Sequence, residues 1–162
     1  MDKYIFVIRK GNKVKVDRSQ ISYLAQDNFL FPASIKDNIT MFNSKLDKAV
    51  ERYVKSVQLE SDLAGFPSGL ETLVDVDKDN LSGGQRQKIV LARNEIQNKP
   101  VILADESTSA IDENATNKII SNLLNSGQTI IVIAHNLTKD TKKLFDRVIN
   151  IDPNRGEANY DV

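Results

Sequence analysis

The hydrophobic rhythm of the chain changes near residue 100. Beyond it, Val101–Ala104, Thr129–Ala134 and Val148–Ile151 are unbroken apolar runs, separated by stretches of helical spacing. Strands that are apolar on both sides are buried on both faces. Their alternation with helices predicts a parallel sheet covered by helices on each side. Asp112 is placed to cap a helix running to about Ser126, which Gly127 stops. A further helix is expected over Thr138–Phe145.

The first hundred residues follow a different pattern. Tyr4–Ile8 and Val14–Val16 are short β-type runs around Arg9-Lys10-Gly11-Asn12, which predicts a hairpin. Gln20–Ala25 reads as another short strand. Phe29–Ile39 is apolar but broken by Pro32, so a loop with a short helix is expected, with Phe29, Leu30 and Phe31 in the core or, as the alternative, at a site for a hydrophobic partner. Ser44–Leu59 carries Leu46, Val50, Tyr53 and Val57 at helical spacing, and Gly65, Pro67 and Gly69 then impose a loop. Ser82–Asn98 is the next expected helix, with Ile89, Ala92 and Ile96 on one face and Pro100 beyond its end. The expected division is an α/β core over 1–28 and 99–152, a mainly helical subdomain over 29–98, and a loose polar tail over 153–162.

Composition narrows the function classes. The 162 residues are 40% hydrophobic and 27% charged, the balance of a globular domain. Lysine plus arginine equals aspartate plus glutamate at 22 each, so there is no basic excess to favour a nucleic-acid partner. There is no cysteine and a single histidine, which removes disulfides and makes a structural zinc site a poor fit. No apolar run approaches the length of a membrane span.

The candidate chemistry lies in two clusters. In Leu81-Ser82-Gly83-Gly84-Gln85, two glycines at the start of a helix let backbone N–H groups approach an anion, helped by the partial positive charge of the helix end. Ser82 supplies a hydroxyl as cap or phosphate ligand. A glycine turn before an ordinary capped helix has the same local form, so the wider context decides. Twenty residues on, Asp105 and Glu106 end an apolar strand, where ligands bind in open parallel sheets. Asp105 suits a hydrated Mg²⁺ ion, and Glu106 suits a proton acceptor for an attacking water. His135 ends the neighbouring apolar strand, in reach of the same sheet edge. Gln26 follows an earlier strand, and its uncharged amide suits a metal or a water. Asp112 in Ser109-Ala110-Ile111-Asp112 is a helix cap and a possible contact to a second subunit.

The order of these elements resembles the nucleotide-binding domain of ATP-binding cassette (ABC) ATPases, of exporter type, from about Ile21 to Asp152. Gln26 matches the Q-loop, Leu81–Gln85 the signature, Asp105 the Walker B aspartate, Glu106 the catalytic glutamate, Asp112 the D-loop and His135 the switch histidine. Phe31–Ile39 and Leu70-Glu71-Thr72 resemble exporter segments that contact the membrane domain. The resemblance implies a P-loop NTPase-like α/β fold with a helical signature subdomain, and ATP and Mg²⁺ as cofactors. It implies catalytic roles for Glu106 and His135, nucleotide contacts from Gln26, Ser82, Gly83, Gly84, Gln85 and Asp112, and metal contacts from Asp105 and Gln26. It also implies transmembrane domains and a second, head-to-tail nucleotide-binding domain as partners, at the cytoplasmic face of the membrane. Asp75-Val76, Ala104 and Asn136 depart from the family pattern.

One departure is larger. No glycine in the chain is followed by lysine, so it contains no GxxxxGK[ST] phosphate loop. That loop supplies most of the phosphate grip, so the chain by itself is expected not to bind MgATP tightly and to be inactive alone. The leading expectation is part of an exporter ATPase subunit. The alternative is a non-enzymatic partner that donates its signature in trans to a complete ATPase. A DNA-repair ABC ATPase is disfavoured, because only 55 positions separate Gln26 from Leu81 and no heptads run between them.

Overall fold

A computed structural model describes residues 4–8, 18–25, 29–76, 78, 80–105, 109–134, 137–151 and 158–161. Six strands form one sheet: β1 (Tyr4–Ile8), β2 (Ile21–Leu24), β3 (Val101–Asp105), β4 (Thr129–Ala134), β5 (Val148–Ile151) and β6 (Ala158–Asp161). Their spatial order is β2-β3-β4-β1-β5-β6. β2, β3 and β4 are parallel, with Leu24 opposite Ala104 and Asp105 opposite Ile133. β1 is antiparallel to both β4 and β5, so β5 runs in the direction of β4, and β6 returns antiparallel to β5.

The sheet is therefore parallel in its β2-β3-β4 half and mixed beyond it. Both edges of β1 are occupied, so the hairpin expected between Tyr4–Ile8 and Val14–Val16 has no free edge to form on. Val14–Val16 lie outside the described residues. The expected loose tail is likewise corrected, because Ala158–Asp161 pair with β5 in register. A backbone ladder needs no apolar side chains, so a polar segment can extend an available edge.

Both faces of β3 are covered. Consecutive strand residues point to opposite sides, and Val101 and Ile102 are both buried. Helix α4 (Gly83–Ile96) packs on β2, and α5 (Glu113–Leu124) packs on β4. α4 is buried on most of its circumference. Ile89, Ala92 and Ile96 are in the core as expected, with Val90 and Leu91 beside them. The helix ends where Asn98 takes a left-handed conformation, φ 47°. α5 starts on its Asp112 cap, whose side chain accepts from the Ala115 N–H, and the chain after it turns at Gly127, φ 82°.

Between β2 and α4 lie α1 (Ile35–Thr40), α2 (Val50–Ser56) and α3 (Glu60–Leu63). The helix expected over Ser44–Leu59 is two pieces, a 3-10 turn over Ser44–Ala49 and then α2. Left-handed Gln58, φ 56°, separates α2 from α3. α6 (Lys139–Lys142) is shorter than the Thr138–Phe145 expected, and is capped by Thr138.

Asn38 and Arg93 fasten the segment after β2 to α4. Fully buried Asn38 donates through Nδ2 to the carbonyls of Phe31 and Ser34 and accepts through Oδ1 from the Phe31 N–H. Arg93 donates to the carbonyls of Asn38 and Phe29 and to Asn38 Oδ1, with its guanidinium 5.5 Å from the Phe31 ring centre. Of the three residues expected in the core here, Leu30 is buried. Phe29 is 67% exposed, set edge-to-face on Phe31 at 5.3 Å. Phe31 is partly buried, with the Arg93 guanidinium against its ring.

Candidate functional site

The amino end of α4 is built by reciprocal capping. Ser82 is in extended conformation, and its Oγ accepts from the Gln85 N–H at 3.2 Å. Gln85 Oε1 accepts from the Ser82 N–H at 2.9 Å, which completes the capping box. Gly83 and Gly84 are the first two residues of the helix. N–H groups at those positions have no intrahelical acceptor, so they face outward as donors. The capping box was legible as Ser-x-x-Gln in the sequence.

The turn Ser109–Asp112 approaches this helix end closely. A Cβ placed at Gly84 would lie 2.9 Å from the Ala110 carbonyl oxygen, so only glycine admits the contact. Together the two segments line a pocket of about 410 Å³, walled by Ser82, Gly83, Gly84 and Gln85 on one side and by Ala110, Ile111 and Asp112 on the other. Five of the sequence-derived site residues, Ser82, Gly83, Gly84, Gln85 and Asp112, thus meet around one cavity.

Asp62 and Lys88 complete its wall. Lys88 Nζ donates to Asp62 Oδ2 at 2.8 Å and to the Gln58 carbonyl at 3.0 Å, and Gln85 Nε2 donates to Asp62 Oδ1 at 3.2 Å. Neither residue was singled out from sequence. Lys88 was accessible to inspection, since it lies one helical turn beyond Gly84. Asp62 sits in a different helix, and nothing local announces its role. Gln87 was also missed. It is 3% exposed and bonds to both Ser109 and Ala110.

Asp105 lies at the carboxyl end of β3. Tyr23 Oη, from the adjacent strand, donates to Asp105 Oδ2 at 3.2 Å, and this bond, with Asp105's charge behind it, holds the Tyr23 phenol above its ordinary pKa. Among the described residues no three acidic or histidine side chains gather as a metal cluster. A single carboxylate such as Asp105 can serve Mg²⁺, which takes one or two carboxylates and fills its shell with waters and phosphate oxygens. Gln26, Glu106 and His135 lie outside the described residues.

Exposed apolar residues gather elsewhere. Phe29, Met41, Phe42 and Leu73 are exposed, and Phe42 packs edge-on against Phe31. Among the described residues no helix is long and apolar enough to cross a membrane.

Comparison with known proteins identifies the family of the chain. The family model described as ABC transporter matches residues 7–109, more than half of the chain. A probable multidrug resistance ABC transporter ATP-binding/permease protein, YheI of Bacillus subtilis, is 36% identical over 124 residues, covering 75% of this chain and 21% of the relative. The α-hemolysin translocation ATP-binding protein HlyB of Escherichia coli is 36% identical over 137 residues, covering 82% of this chain and 19% of that protein. Among solved structures, a bacterial Atm1-family ABC exporter with ATP bound superposes with a TM-score of 0.68 at 31% identity, covering 74% of this chain and 21% of the exporter. The chain spans about a fifth of the length of these relatives. The match spans the helix opened by Ser82 and the strand ending in Asp105, and the chain belongs to the ABC transporter family.

Proposed function

We propose that this chain forms the signature-bearing part of an exporter ATPase unit, and that its pocket closes on the terminal phosphates of an ATP held by a second nucleotide-binding domain. One observation carries the reading: Ser82, Gly83, Gly84 and Asp112 converge on a single cavity at the amino end of a well-capped helix. Outward N–H groups, a hydroxyl and a helix dipole suit an anion. With no Cβ at Gly84, the Ser109–Asp112 turn comes close enough to the helix end to wall the cavity on its second side.

The remaining roles follow the family order. Asp105 would hold Mg²⁺ through its free carboxylate oxygen while Tyr23 occupies the other. The ion, when bound, neutralises charge on phosphate oxygens. Glu106 would accept the proton of the attacking water, His135 would contact the γ-phosphate, and Gln26 would contact the metal or the water. Residues 29–98 act as the helical lobe that presents the signature. The exposed aromatic and aliphatic residues around Phe29 and Phe42 would face transmembrane domains, placing the chain at the cytoplasmic side of a membrane as part of an export machine.

The test is reconstitution with a complete ABC nucleotide-binding domain that carries its own phosphate loop. Adding this chain should raise MgATP hydrolysis, and Ser82→Ala should reduce that stimulation about tenfold. By itself the chain should bind MgATP no tighter than millimolar in calorimetry. No stimulation by the wild-type chain would overturn the reading.

A further inference from the structure

The cavity has two walls from distant parts of the sequence, and one buried side chain joins them. Gln87 lies on the inner face of α4, one turn past Gly84. Its Nε2 donates to Ser109 Oγ at 3.1 Å, and its Oε1 accepts from the Ala110 N–H at 2.9 Å. Donor and acceptor ends of one amide are thus both spent on the same turn. The groups are at the edge of the core, where an unpaired amide is costly, so the two bonds hold each other in place. Gly84 adds steric definition, because its bare Cα lies against the Ala110 carbonyl.

We infer that Gln87 is a positioning residue that makes the Ser109–Asp112 turn and the Ser82–Gln85 helix end a single rigid body, so that both walls reach the phosphate together. The inference rests on the trans reading above. Asp112 caps α5 and the glycines open α4, so without Gln87 the two helices could shift independently at the site. A site already assembled loses less freedom on binding than one that must be ordered by its ligand.

Gln87→Met preserves the length of the side chain and removes both bonds, whereas Ser109→Ala removes one and spares the Ala110 bond. Gln87→Glu keeps an acceptor for the Ala110 N–H. Amide hydrogen exchange is read on the whole chain by NMR. Exchange at Ala110 should quicken about tenfold in Gln87→Met, little in Ser109→Ala, and recover in Gln87→Glu, while Leu91 and Ile102 stay protected in all three. In the reconstitution assay, Gln87→Met should raise the ATP concentration for half-maximal stimulation about fivefold or more, and Gln87→Glu should restore most of it.

Unchanged exchange at Ala110 would overturn the clamp. Faster exchange with unaltered stimulation would overturn the positioning role while leaving the trans reading intact. A wild-type chain that gives no stimulation overturns the trans reading, and the positioning role with it.

Discussion

The Cα of Gly84 lies directly beneath the Ala110 carbonyl, so that a methyl group at residue 84 would come within 2.9 Å of that oxygen. At Gly83 the corresponding distance is 3.4 Å, and the neighbour is the Ala110 side chain. The two glycines therefore have different structural reasons, although the sequence shows them as a pair. Alanine improves helix propensity by up to about 1 kcal/mol over glycine, but overpacking against a fixed backbone costs about 1–3 kcal/mol. Gly84→Ala should be destabilised by about 1–2 kcal/mol in urea, and Gly83→Ala should remain within about 0.5 kcal/mol of the parent. Equal behaviour of the two variants would refute the contact.

Glu95 predicts a pH dependence. Its side chain is buried on α4, with Oε1 unpartnered, and burial pushes its carboxyl up from the ordinary 4.5 to about 7, opposed by the Ser56 hydrogen bond and the Arg52 charge. The folded chain therefore binds this proton more tightly than the unfolded chain does. Below pH 4.5 both states are protonated and the group costs nothing. Between about 4.5 and 7 stability falls as the unfolded state ionises first, and above 7 the loss is complete. Two to three pH units correspond to on the order of 3 kcal/mol. Glu95→Gln should match the parent near pH 4 and be the more stable protein at pH 8, by urea midpoints at both. A difference that does not vary with pH would exclude this ionisation.

The Asp62–Lys88 pair is largely sheltered, at 21% and 12% side-chain exposure. Removing one member leaves a half-buried charge, which costs more than removing both. Lys88→Met should cost about 2 kcal/mol, and adding Asp62→Asn should recover about half of it. A double-mutant cycle giving additive effects would show that the pair is uncoupled.

Asn38 offers a sharper stability test. Truncation to alanine leaves the Phe31 N–H and carbonyl and one arm of Arg93 without their side-chain partner. Asn38→Ala should cost about 2–4 kcal/mol. It should also raise the mobility of the Phe31 ring, read by aromatic NMR line shapes.

Much of the fold could be read from local pattern. Thr129–Ala134 and Val148–Ile151 matched their expected bounds, because buried strands leave continuous apolar runs. The caps of α4 and α5 were written in Ser82, Gln85 and Asp112, whose partners lie three residues away. What escaped is non-local. The place of β1 between β4 and β5 depends on which sheet edge is free, and Tyr-Ile-Phe-Val-Ile is equally apolar in either direction. β6 has no apolar signature at all. At the site, Ser82–Gln85 and Asp112 were each visible as separate candidates, but their meeting around one cavity was not, and Asp62 and Gln87 act across 23 and 22 positions. Single-element periodicity carries no trace of such bonds.

The reciprocal cap at Ser82 has one more effect. Its oxygen is engaged as an acceptor from Gln85, yet the hydroxyl hydrogen is not used by that bond. The residue can therefore greet an incoming oxyanion without letting go of its own helix. Fold maintenance and ligand capture draw on different atoms of one side chain. Aspartate at this position would keep the former while repelling the latter, separating two duties that alanine removes together.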